Sequence, residues 1–141
     1  MLSATRWQAL WQELGGTAPA GSFAELSAAY GAADRHYHGA AHITACLAHL
    51  DRWRPLATDA ALVELALWTH DLVYDTRRQD NEAASAERAC QWLADAGLAA
   101  HADALREMIL ATRHQQPPTD SDAALVVDID LSILGSTAQV Y

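Results

Sequence analysis

No lysine occurs in the chain; all nine basic residues are arginine. That removes phosphate-cradling loop lysines, Schiff-base chemistry and lysine general bases together. Cysteine is nearly as scarce. Cys46 and Cys90 stand alone, far from any CxxC spacing, in alanine-rich periodic segments where they read as buried free thiols. Long apolar runs are missing too: no stretch reaches the ~18 residues of a membrane span, and MLSATRWQAL lacks a basic region followed by an apolar one. A cytoplasmic protein with no membrane partner is expected. Positive charge is outweighed by 18 acidic residues, for a net −9. Such a surface repels nucleic acid polymers but leaves room for a small anion held through a metal.

What is present is a helical pattern. At 141 residues and 51% hydrophobic content the chain is long enough to bury one core, so a single domain is expected over 1–141. Trp7, Leu10, Trp11 and Leu14 fall on one stripe, with Ser3 placed to cap that helix and Gly15-Gly16 to stop it. Ser22 and Glu25 form a capping-box pattern for a second helix reaching about Gly31. A third runs from about Ala40 to Trp53 and ends before Pro55. Asp59 caps DAALVELALWTHD, which carries His70 and Asp71 at its C-terminal end. A fifth helix spans Asp80 to Ala96 before Gly97, and a sixth runs from about Ala102 to Thr112 before Pro117-Pro118. In SDAALVVDIDLSIL, apolar and polar residues alternate as in a strand, yet no other segment offers a partner strand, so a helix is expected. The fold class is all-α, a compact array of about seven helices. The five tryptophans suit either the core or a homodimer surface.

Histidine is unevenly placed. RHYHGAAHI holds His36, His38 and His42, and His38 and His42 are four apart, so a helix starting near His38 puts them on one face that His36 cannot join. His70-Asp71 and Asp130 follow in strongly apolar surroundings, where an ionised carboxylate costs several kcal/mol unless it is paired or bound to a cation. One shared divalent metal would account for all of them, and mixed nitrogen and oxygen ligation suits Mn, Fe, Co, Ni or Zn, or Mg with waters. The competing reading is a set of core histidines satisfied by hydrogen bonds, with buried His and Asp paired to each other and no metal.

The order His, His-Asp, Asp on a helical scaffold resembles the HD superfamily of metal-dependent phosphohydrolases. RHYHGAAHI, WTHDLVYD, DNEAASAE and DIDLSILG look like the blocks of a bacterial group of HD-domain phosphohydrolases and cover Arg35 to Gly135. YHGAAHI is also similar to the YHN-x-x-H block of cyclic-nucleotide phosphodiesterases, and IDLSIL to their CDLS block. The resemblance implies His42, His70, Asp71 and Asp130 as metal ligands, with Asp128 competing for the last place, and His38 as proton donor to the leaving oxygen. That group's chains usually continue past DLSILG into a helix with basic and aromatic residues. The residues here stop at Tyr141, so a shortened form or a fragment is expected, with some substrate-binding groups out of view.

The activity expected is hydrolysis of a phosphomonoester or phosphodiester in a small, nucleotide-like substrate by metal-activated water. Asp71 would bridge to a second ion if one binds, and His114 is the spare candidate for an ion or substrate, or else a helix-end histidine suited to the macrodipole. Arg35 can hold a phosphate oxygen or pair with Asp34. Glu82 or Asp75, with Asn81 beside them, can orient the attacking water or a ligand histidine, Glu82 being the catalytic candidate, while Asp80, Asn81 and Glu82 can instead cap and charge the start of the fifth helix. Arg77 and Arg78 read as a solvated loop, His49 and His101 as structural or solvent-facing. Three other classes compete: a non-catalytic metal-binding protein, a metal-free helical interaction module, and an iron-dependent oxygenase.

Overall fold

A computed structural model describes residues 2–33, 35 and 38–140, with side chains up to 134. The readings of His36, of an Asp34 partner for Arg35 and of Tyr141 fall outside the described residues. The chain forms α1 (Ala4–Leu14), α2 (Ser22–Tyr30), α3 (Ala40–Trp53), α4 (Ala60–Thr69), α5 (Asn81–Asp95), α6 (Ala102–Ala111) and α7 (Ser121–Val140), with one-turn 3₁₀ helices at Arg54–Leu56 and Ala99–His101. No strand occurs among the described residues. The expected all-α array of seven helices is what forms. No described helix is long and apolar enough to cross a membrane.

The caps at α1 and α4 follow the sequence, whereas α2 and α5 start without a side-chain cap. Ser3 accepts from the Arg6 N–H at 3.1 Å, and Gly15, at φ 102°, closes α1. Asp59 accepts from Leu62 N–H at 3.1 Å and starts α4. Ser22, expected to cap α2, is instead its first helical residue, and Gly21 takes the cap position without a side-chain bond. The Ser22 hydroxyl accepts the indole N–H of Trp7 at 3.0 Å. A buried indole donor needs an acceptor more than an exposed helix end needs a cap, because water can serve the latter.

The ambiguous last segment is helical, and the structure shows why it alternates. Ala123, Val126, Val127 and Ile129 form the buried stripe of α7, and Asp130 lies on that stripe while Asp128 points to solvent. A polar residue on the inner face breaks the 3.6-residue pattern and mimics period two.

Helix α4 runs through the middle, buried from Ala61 to Thr69 and packed against α1, α3, α5, α6 and α7. A helix apolar on every side needs neighbours on every side. Four of the tryptophans sit in this core. Trp7 meets Trp11, Trp68 and Trp92 edge-on, at centroid distances of 5.6, 5.1 and 5.7 Å. Trp53 is the exception and is exposed.

Two buried acids tie α4 to its surroundings. Asp122, near the start of α7, accepts from the backbone N–H groups of Thr58 and Asp59 at 2.8 and 2.9 Å. Glu64 accepts from Arg6, Arg54 and the Trp68 indole at 3.1, 2.6 and 3.2 Å, and Arg6 also forks onto Asp51 at 2.9 and 2.8 Å. Replacing Glu64 by Ala leaves that indole donor buried and the two guanidiniums short of their acceptor. Denaturant unfolding of Glu64→Ala should show a loss of about 2–4 kcal/mol. Arg106→Ala, which breaks only exposed pairs with Glu87 and Asp103, should leave the unfolding midpoint unchanged.

Candidate metal centre

Five chain segments converge at one end of α4. Helix α4 stops at Thr69, whose hydroxyl donates to Leu65 O at 2.7 Å, and His70 is the capping residue. The His70 Nδ1 lies 2.9 Å from the carbonyl oxygen of Leu67. A carbonyl can only accept, so Nδ1 carries a proton and the ring's orientation is fixed. Nε2 then points inward, 3.1 Å from Asp130 Oδ1 and 3.5 Å from Asp71 Oδ2.

From the first turn of α3, His42 places its Nε2 2.9 Å from the same Asp130 oxygen. His114 brings its Nε2 to 3.2 Å from Asp130 Oδ2. It does so from just beyond α6 with φ at 58°, the left-handed region that a non-glycine residue enters only at a cost. His38 sits at the rim, with Nδ1 2.9 Å from Asp71 Oδ2 and its ring stacked on Tyr74 at 4.4 Å. His42, His70 and Asp130 are almost sealed from water, whereas the His38 and His114 side chains are about a third exposed. The cluster therefore has a closed floor and an open rim.

Its electrostatics follow from burial and mutual pairing. Burial pushes the Asp130 carboxyl up, but the hydrogen bonds and charge of His42 and His70 outweigh it and hold the group far below the usual carboxylate range. Asp71 is likewise held low, because His70 and His38 prevail over desolvation. Burial alone would lower His70, yet Asp71 and Asp130 raise it to about 9. The Cys46 thiol is pushed up by burial and by the same two carboxylates.

Of the residues that the sequence nominates, His38, His42, His70, Asp71, Asp130 and His114 come together. Asp128 does not; it is exposed and faces a cleft beside His49 and Trp53. The Arg35 guanidinium is taken up by the backbone oxygens of His38, Asp71 and Leu72, and it lies over the rings of Tyr30 and Tyr74. Its place is beneath the His-Asp turn, which it pins. Asp75 accepts from the backbone and side chain of Arg77, and Asn81 bonds both backbone groups of Asp75, so these two shape the loop before α5. Glu82 lies in the first turn of α5, where its charge suits the helix dipole, and makes no hydrogen bond to the cluster. Sequence reasoning passed over three contributors. Tyr74 stacks on His38, the buried Ser85 hydroxyl bonds both backbone groups of Val73, and Cys46 Sγ lies 3.6 Å from His42 Nε2. Only Cys46 left a signal, its place four residues after His42.

The donor set suits a cation. One ligand atom each from His42, His70 and Asp71 lie within 4.8 Å of one another, and so do those from His42, Cys46 and Asp130. Imidazole nitrogens and carboxylate oxygens in that arrangement are typical of divalent transition metals. Comparison with family models, with curated proteins and with solved structures returns no match to this chain.

A proton on His70 Nε2 occupies the place such an ion would take. His70 holds its proton more tightly folded than unfolded, so its stabilisation is full below pH 6.5 and is lost as pH rises through about 9. Asp71 and Asp130, both held below 3.8, stabilise above that value and lose their contribution as pH falls through their depressed values. Metal-free protein should therefore lose cluster stability as pH climbs from 6.5 to 9. Added divalent ion competes with the departing proton, so its gain in melting temperature should grow over the same interval. Thermal melts with chelator and with metal should diverge as pH rises; parallel curves would refute proton displacement.

Proposed function

We propose that this cluster binds a divalent cation and that the protein hydrolyses a phosphate ester of a small, nucleotide-like molecule, in the manner of the HD phosphohydrolases it resembles. The observation that carries the reading is the convergence of His42, His70, Asp71 and Asp130 from α3, α4 and α7, with His38 beside Asp71 at the open rim. A divalent ion held there supplies Lewis acidity toward a phosphoryl oxygen and a water of lowered pKa.

The chain's own groups supply the rest. Asp71 accepts from His38 Nδ1, which leaves His38 Nε2 to hand a proton to the departing oxygen. The stack on Tyr74 fixes the plane of that ring, and Arg35 fixes the turn carrying Asp71. The floor excludes water on the protein side, while the rim admits a substrate to His38 and His114. The excess of acidic residues favours a compact substrate over a polyanion. Near-complete enclosure of His42, His70 and Asp130 equally suits an ion kept as a non-catalytic staple, and that is the second reading.

Metal analysis together with a phosphatase and phosphodiesterase screen in Mn, Mg, Co, Ni and Zn separates these readings. Wild-type protein should hold near-stoichiometric metal and release phosphate. His38→Asn should keep the metal and lose turnover by about 10²–10⁴-fold, whereas His70→Ala should lose both. Metal held without hydrolysis would favour the staple. A folded wild type that binds no divalent ion would end the proposal.

A further inference from the structure

Cys46 lies one helical turn after His42 on α3 and is fully buried. Its sulfur rests against the His42 nitrogen that faces Asp130, at 3.6 Å. His42, Cys46 and Asp130 form a group of potential ligands in their own right, every member buried. Cys90, the other cysteine, instead donates to the Ala102 carbonyl between α5 and α6 and belongs to no such group among the described residues.

We propose that Cys46 supplies a sulfur ligand to the cation, making the centre a mixed nitrogen, oxygen and sulfur site that takes zinc, cobalt or ferrous iron in preference to magnesium or manganese. The proposal rests on the metal reading above and narrows it. Donors bonded to one zinc at about 2.0 Å through nitrogen and about 2.3 Å through sulfur, a tetrahedral angle apart, stand roughly 3.5 Å from each other. The separation of His42 Nε2 and Cys46 Sγ already meets that requirement. Residues four apart meet on any helix face, and what singles out this pair is that the Asp130 carboxylate from α7 lies within reach of the same sulfur. As the sulfur–metal bond forms, the thiol proton passes to solvent, and the soft donor shifts preference away from hard, oxygen-seeking ions.

Anaerobic titration of metal-free full-length protein with Co²⁺ tests this, read by absorption and run on wild type, Cys90→Ser, Cys46→Ser and Cys46→Ala. Cobalt in the site gives visible ligand-field bands, and a bound thiolate adds an intense near-ultraviolet charge-transfer band. Wild type and Cys90→Ser should show both. The Cys46 variants should keep the visible bands, lose the ultraviolet one, and bind Zn²⁺ roughly tenfold or more weakly with Mg²⁺ binding unchanged. Cys90→Ser retains Cys46 as its sole thiol, so its spectrum decides the matter even if a Cys46 variant fails to fold. Visible bands without the charge-transfer band in Cys90→Ser would overturn sulfur ligation and leave the metal reading standing. Absence of every band would overturn both.

Discussion

Asp130 carries a carboxylate into a helical core where an unpaired charge costs several kcal/mol. Its partners are imidazoles from three separate places: the start of α3, the end of α4 and the turn beyond α6. Satisfying one residue of α7 therefore fixes how four helices meet. The left-handed backbone at His114 fits this account, since strain of that kind persists only where the surroundings insist on it. Arg35 and Ser85 extend the same constraint outward. One holds the carbonyl oxygens of the His-Asp turn, and the other holds Val73 against α5.

Buried acids lie midway along α4 and just beyond its C-terminal end, and they differ in the kind of cation that answers them. Glu64 is met by Arg6 and Arg54, whose charge cannot be removed by titration at accessible pH. Asp71 and Asp130 are met by histidines, which can surrender a proton and offer a lone pair in its place. The first cluster is a permanent fixture of the frame. The second is exchangeable, and only such a cluster can be remade around a different positive charge.

Much of the architecture was legible in the sequence because α1, α3, α5 and α6 obey simple rules of stripe, cap and stop. The His42, His70, Asp71 and Asp130 constellation was legible because charged residues inside apolar runs demand an explanation. What stayed hidden depended on contacts between distant segments. Ser22 is a plausible cap until Trp7 arrives to claim its hydroxyl. Arg35 looks available to a ligand until the His-Asp turn folds over it. The alternation in LVVDIDLSI suggests a strand because Asp130 belongs on the inner face, so the feature that blurred the secondary structure is also the centre of the site. Asp130 was preferred to Asp128 on its place in the DLS pattern, a resemblance rather than a physical ground, and the helix supplies that ground by turning Asp128 to solvent and Asp130 inward.

The indole cluster gives the molecule a built-in optical gauge. Rings only 5.1–5.7 Å apart couple their strong electronic transitions, so the far-ultraviolet circular dichroism of the folded chain should carry an exciton signature that vanishes once α1, α4 and α5 separate. Trp68 belongs to that cluster and stands two residues before His70, with its carbonyl held by Tyr30 at 2.6 Å. A paramagnetic ion held at His70 would therefore sit close enough to this cluster to dim its fluorescence.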